Sequence, residues 1–310
     1  MVKQKTQWKG VVMLMLTALI WGSSFVAQSV GMESVEAFTF NGIRTLMGAV
    51  VLLPFILIRD RVQGKTMTQE QLRQRKVMDK KTLRCGLILG VVLCAACNFQ
   101  QFAFEYSTSG KIAFITALYM FFVPLLGLFL KKKVPLLTWI CVLAGFVGLY
   151  FLSIGPGGLG SINRGDIRAL ICAVFYAVHI LLVEKFAPDV DGIKLSFTQF
   201  AVSGVITCIL MFLFETPQMS AVKSAIVPLL YSGVMSCGLA YTFQIVGQKH
   251  TEATVASLIM CMESVFAVLA GALVLHEMLS GREILGCVIM FVAIVLSQLS
   301  ELITAKLKGN

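Results

Sequence analysis

Ten apolar stretches of membrane length run along the chain, separated by short polar breaks. They lie near residues 10–30, 37–58, 84–105, 108–130, 135–154, 164–184, 193–214, 224–247, 252–275 and 282–302. A helical crossing of the hydrocarbon core takes roughly 20 apolar residues, so each stretch predicts one spanning helix. The polar positions inside them repeat. Trp21 and Tyr176 stand 155 positions apart, as do Arg44 and Gln199; Gln100 and Gln244 stand 144 apart, as do Lys133 and Glu277. The offset changes between the second and third span of each unit, where a long linker, 59–83, corresponds to a short one, 215–223. A single insertion or deletion there accounts for the change. The expected fold is therefore an all-α integral membrane protein, ten transmembrane helices arranged as two five-helix repeats, 8–154 and 164–302. Five is odd, so the second repeat enters the bilayer from the opposite side. Inverted repeats place a substrate site near mid-membrane, where the halves meet.

Composition agrees with a home in lipid. Hydrophobic residues make up 57% and charged residues 14% of the chain, whereas soluble domains carry roughly 25% charged residues. The net charge of +10 raises the question of nucleic acid, but its placement argues for topology instead. With the amino terminus inside, Lys3, Lys5, Lys9, the basic residues of the 59–83 linker with Arg84 at its end, Lys131 to Lys133, Lys185, Lys194, Lys249, Lys306 and Lys308 all fall on the cytoplasmic side. Only Lys111, Arg164, Arg168, Lys223 and Arg282 fall outside, with Arg44 inside a span. Lys and Arg of short loops concentrate on the cytoplasmic face, so both termini are expected there, in a plasma or inner membrane. The linker reads as a solvated loop whose charges set that orientation. The first stretch follows a basic start but lacks a clean small-x-small cleavage site, so it is expected to stay as a working helix.

Several motifs are decoys. All nine cysteines lie in or at the edges of spans, and Cys94-x-x-Cys97 sits within an apolar helix without a second pair. Packing explains them better than a disulfide or a metal. Gly155 to Gly160 matches G-x-G-x-x-G, yet it follows a membrane span rather than a strand, so it reads as the connector between repeats. The chain carries no HExxH, G-x-S-x-G or Walker loop. Neither an enzyme, a cofactor nor ATP-driven pumping is expected.

The chemistry falls to polar residues inside the spans. A charge near the bilayer centre is expensive and normally faces a cavity or a partner. Arg44 and Glu263 are the two such charges. Uncharged polar residues pair three apart, on one helix face each: Asn41 with Arg44, Asn98 with Gln101, Thr116 with Tyr119, Tyr176 with His179, and Tyr241 with Gln244. The same spacing in five spans points to one shared polar interior. The candidate substrate-binding set is Trp21, Asn41, Arg44, Asn98, Gln101, Tyr119, Tyr176, His179, Gln199, Tyr241, Gln244 and Glu263. Pro54, Pro124 and Pro228 lie within spans and are expected to ease bending.

The run Trp21-Gly22-Ser23-Ser24-Phe25, Arg44 in span two, Glu263 in span nine and the stretch from Leu275-His276-Glu277 to Gly286 resemble the drug/metabolite transporter superfamily, specifically its EamA-type branch. The resemblance covers essentially the whole chain. It implies ten helices, internal termini and a central cavity for small organic solutes, often amino acids or other metabolites moved outward. Two departures stand out: Ser264 follows Glu263 where the family commonly has proline, and Lys131-Lys132-Lys133 occupies a place where an acidic residue often stands.

The expected function is secondary transport by alternating access, with efflux of amino acids or related amphipathic metabolites. Arg44 would hold a carboxylate, and a desolvated Glu263 would exchange a proton. The partners are a small-molecule substrate and the bilayer, in a monomer or homodimer; Gly86 and Gly90 suit either internal packing or dimerisation. An exporter of organic cations using Glu263 as counter-charge is the alternative within transporters. A non-transporting structural membrane protein is the alternative outside them.

The inverted arrangement makes one topological prediction. A cysteine placed at Ser280, between spans nine and ten, should react with an impermeant maleimide added from outside. Reaction only from the cytosol sinks the inversion.

Overall fold

Every apolar stretch of the sequence becomes helix. The computed structural model describes residues 2–107, 109–132, 134–154, 163–275 and 280–307, and no strand occurs among them. Span one is Val2–Met32, span two Ala37–Gly64 and span three Gln69–Ala103. Span four is interrupted, as Ser109–Ala117 and Tyr119–Phe129, and span five is Leu136–Ser153. Spans six and seven are Arg164–Phe186 and Gly192–Phe214. Span eight begins as Ile226–Leu230, passes through a π-helical segment, Tyr231–Ala240, and ends as Tyr241–Gln248. Span nine is broken, as Ala253–Met260 and Met262–Leu275, and span ten is Gly281–Leu307. Among the described residues, eight helical segments are long and apolar enough to cross a bilayer, and Leu136–Phe151 is a shorter apolar helix. The connector Gly155 to Gly160, Lys133, His276 and Glu277 lie outside the described residues.

The basic linker is not a loop. Helix two runs on to Gly64 and helix three starts at Gln69, so most of 59–83 is helical. Thr68 and Gln71 form a reciprocal capping box at the start of helix three, and the Gln, Glu, Arg and Lys that follow are good helix formers. Charge alone marks a segment as solvated; it does not say whether that segment is coiled or a protruding helix. Pro54 is accommodated in a continuous helix two. Pro124 and Pro228 lie in the interrupted spans four and eight.

The packing is unchanged in pattern when the halves are exchanged. Span five lies along ten, and two along seven; three packs on six and seven, as eight packs on one and two; one packs on nine, as four packs on six. Small residues permit the closest approaches. A Cβ at Gly86 would come within 2.5 Å of Thr198, and one at Gly90 within 2.6 Å of Val202. This G-x-x-x-G therefore seats span three against span seven inside the molecule.

Both ends of the span two and seven pair are tied across the halves. At one end Arg59 meets Asp191 at 2.5 Å, and Lys194 meets Asp60 at 2.8 Å and Asp79 at 2.7 Å; Arg75 also pairs with Asp60. At the other end Glu215 accepts from the backbone N–H groups of Phe38 and Thr39 and from the Thr39 hydroxyl, each at 2.7 Å. A carboxylate there satisfies otherwise orphaned donors at the positive end of helix two. Asp60 and Glu215 are 155 positions apart, and so are Thr39 and Lys194, so the two ties are counterparts.

Replacing Glu215 by Ala removes that cap. The expected loss is about 1 kcal/mol, read as a lowered thermal unfolding midpoint in detergent, with Glu215→Gln falling between. An unchanged midpoint for the alanine variant contradicts the capping role.

Candidate functional site

A narrow cavity of about 30 Å³, roughly the space of one water molecule, lies between the two halves. Span one contributes Trp21, Ser24, Phe25 and Gln28; span two, Arg44; span three, Cys97 and Gln100; span four, Thr116 and Tyr119. Span six adds Tyr176 and Ile180, span eight Ser236, Cys237, Tyr241 and Gln244, and span nine Glu263. The repeat offsets organise this wall. Trp21 and its counterpart Tyr176 both line the cavity, as do Phe25 and its counterpart Ile180, at an offset of 155. Cys97 with Tyr241, Gln100 with Gln244, and Tyr119 with Glu263 do the same at 144.

Irregular backbone surrounds the polar centre. Span four breaks at Leu118 and span nine at Cys261, each beside a key residue, Tyr119 and Glu263. Such breaks are tolerated at membrane depth where protein or a cavity backs them. Here the Cys261 thiol donates to the Ala117 carbonyl at 3.5 Å, joining the two breaks. The Tyr119 hydroxyl donates to Glu263 Oε1 at 3.1 Å. Gly22 lets span one close on this point, since a Cβ there would stand 2.5 Å from the Glu263 carbonyl. The π-helical segment of span eight turns Ser236 and Cys237 onto the same side as Tyr241, as a wider helical repeat does.

The aromatic walls interlock. Trp21 and Tyr241 rings are 4.6 Å apart, and Tyr119 and Tyr176 rings 6.5 Å apart. Tyr241 donates to the Tyr176 hydroxyl at 3.1 Å, which donates to Gln100 Oε1 at 3.3 Å. Arg44 is 3% exposed, and its Nε donates to Asn41 Oδ1 at 2.9 Å. Glu263 is equally buried at 3%. Among the described residues neither charge is in an ion pair, and their polar side-chain partners are Asn41 and Tyr119. An ionisable group buried without an opposite charge is costly to keep ionised, so a wider state of this seam would favour a solute that supplies the missing complement; the cavity as it stands is too small for one. On the lining residues, Trp21 Nε1, Ser24 Oγ, Gln28 Oε1, Thr116 Oγ1 and Gln244 Oε1 are buried without a protein partner. A buried polar group left unpaired costs roughly 1–3 kcal/mol, which adds to the case for a polar occupant.

Seven of the sequence candidates come together here: Trp21, Arg44, Tyr119, Tyr176, Tyr241, Gln244 and Glu263. Asn41, Asn98, Gln101, His179 and Gln199 do not line the cavity. On span three the lining face is Cys97 and Gln100, one residue earlier than Asn98 and Gln101, so the phase of the helix differs from the expected one. Asn98 instead bonds Asn41 and Thr207, and Gln101 is fully buried without a partner. His179 Nε2 and Gln199 Oε1 bond each other at 2.9 Å, while His179 Nδ1 and Gln199 Nε2 are buried without a partner. Gln199 occupies the counterpart of Arg44, so the second half carries no charge at this position. Ser24, Phe25, Gln28, Cys97, Gln100, Thr116, Ile180, Ser236 and Cys237 line the cavity but are not in the sequence set. The offsets already known from Trp21 and Gln100 reach Phe25 with Ile180 and Cys97 with Tyr241; no motif marks Ser236 or Cys237. Among the described residues no group of His, Cys, Asp or Glu is arranged to hold a metal.

The EamA-like transporter family matches the chain over residues 8–154 and again over 163–299. A protein of Archaeoglobus fulgidus described as an uncharacterized transporter is 28% identical over 288 residues, 92% of this chain and 84% of its own. The uncharacterized transporter YoaV of Bacillus subtilis is 22% identical over 278 residues, 88% of this chain and 90% of its own. The uncharacterized inner membrane transporter YedA of Escherichia coli K12 is 24% identical over 193 residues, 62% and 58% of the two chains. A crystal structure superposes with a TM-score of 0.75 at 17% identity, covering 94% of this chain and 96% of its own; that likeness shows the fold.

Cys97 and Cys237 supply a direct check on the wall. In protein whose other cysteines are replaced by alanine, a small methanethiosulfonate reagent should modify one or both thiols, and bound solute should slow the reaction. Inert thiols in the folded protein contradict a cavity open to solute.

Proposed function

The chain belongs to the EamA-like transporter family and is a membrane transporter; we propose that it is a secondary transporter moving amino acids or related amphipathic metabolites outward by alternating access. One observation carries the reading. A buried cation, Arg44, and a buried carboxylate, Glu263, share one aromatic cavity without pairing with each other. Arg44 takes the carboxylate of the solute, Trp21, Tyr119, Tyr176 and Tyr241 embrace its apolar part, and Glu263 meets its ammonium or carries a proton.

The repeats are inverted, and they rock about the shared seam. The exchange of packing partners between halves supports this, as do the lining pairs at constant offsets and the paired breaks of spans four and nine. Both termini are cytoplasmic in the plasma or inner membrane, as the basic residues of the 59–83 segment favour. One chain supplies every wall of the cavity, so a monomer suffices and a homodimer would hold two such units.

Flux in liposomes with and without an imposed pH gradient tests the mechanism. The gradient should stimulate wild-type transport, and Glu263→Gln should lose that response. A rate indifferent to the gradient in both proteins removes proton coupling. Arg44→Gln should lower kcat/KM for amino acids by about ten-fold or more, as expected when a charged hydrogen bond is lost. A competition panel separates the alternative: inhibition by lipophilic organic cations but not by amino acids replaces the proposed substrate class.

A further inference from the structure

The polar groups behind Arg44 form a chain that leaves the first half of the molecule and ends in the second. Arg44 Nε donates to Asn41 Oδ1 at 2.9 Å, Asn41 Nδ2 to Asn98 Oδ1 at 2.7 Å, and Asn98 Nδ2 to Thr207 Oγ1 at 2.9 Å. Asn98 also donates to the Cys94 carbonyl at 2.9 Å, and the Thr45 hydroxyl donates to the carbonyl of Asn41. Asn41, Asn98 and Thr207 are all buried, and none lines the cavity.

Each amide in this relay is engaged at both ends. Turning Asn41 to release Arg44 would also break its bond to Asn98. Turning Asn98 would release Asn41, Cys94 and Thr207 together. Thr207 belongs to span seven, which packs along span two. An arginine side chain is long and flexible, and a bond at Nε leaves the outer guanidinium nitrogens free for a planar acceptor. The relay thus leaves an end-on bidentate ligand, which takes one N–H from each outer nitrogen, unobstructed.

We propose that Asn41, Asn98 and Thr207 are positioning residues that aim the Arg44 guanidinium into the cavity, so that the anion-binding group of one half depends on a hydroxyl of the other. The transport consequence rests on the reading that Arg44 holds a carboxylate; the positional consequence does not.

Arginine side-chain 15Nε–H spectra of the full-length protein in micelles read the position without any ligand, with Arg44 assigned by Arg44→Lys. Solvent exchange of the Arg44 Nε–H should be slow in wild type and in Thr207→Ser. It should be faster by about ten-fold in Thr207→Val and Asn98→Leu, since an opened bond exposes the proton. Unchanged exchange in both variants overturns the relay, and Thr207→Val decides alone if Asn98→Leu fails to fold. In proteoliposomes, Thr207→Val should raise KM for leucine about five-fold with Vmax within about two-fold. Inhibition by leucinamide, which lacks the carboxylate, should be unaltered, and Thr207→Ser should behave as wild type. A lower Vmax at unchanged KM, or equal weakening of leucine and leucinamide, overturns the specificity role. Should wild-type protein carry no leucine, the amino acid reading fails and the exchange rates alone decide the relay.

Discussion

Two ionisable side chains held in the low-dielectric interior govern the arrangement of this molecule. Arg44 and Glu263 are both buried without an opposite charge beside them among the described residues, where ionisation carries a desolvation cost. A fold that keeps such groups must surround them with polar partners and keep lipid away. The cavity at the seam does both. Tyr119 reaches Glu263 across the two halves, and Asn41 holds Arg44 from behind. The aromatic rings of Trp21, Tyr176 and Tyr241 complete the wall.

Backbone hydrogen bonding sets the second limit. In hydrocarbon an interrupted helix is tolerated only when its freed groups face protein or a cavity. The breaks of spans four and nine therefore sit against one another in the interior, joined by the Cys261 thiol. The π-helical stretch of span eight lies along the same seam. Regular helices five and ten pack together away from the cavity. Among the described residues the interrupted and π-helical spans, four, eight and nine, all touch the cavity, while spans five and ten are continuous helices.

Much of the site was legible from periodicity, because lipid forces polar residues inward and helical spacing groups them. Arg44, Tyr119, Tyr176, Tyr241 and Gln244 follow from that spacing, Glu263 from being an ionisable residue within a span, and Trp21 from the repeat offset. Asn98 and Gln101 show the limit of the method. Spacing of three residues assigns a pair to one face, but the rotation of helix three puts Cys97 and Gln100 on the cavity instead. His179 and Gln199 show another limit, since two polar residues inside a bundle can turn toward each other rather than toward the cavity. The linker 59–83 shows a third: its charges mark it as solvated, yet a capping box makes it helix.

By itself the sequence determined the helical class, the number of spans and the doubled plan, because the bilayer imposes a length on every crossing and a repeat offset survives in single residues. Only the tertiary structure decided which faces meet, where helices break and which polar atoms lack partners. Those depend on the rotation of each helix against its neighbours, set by packing over the whole seam. No local run of residues encodes that rotation, and for that reason Thr207, in span seven, came to stand behind an arginine in span two.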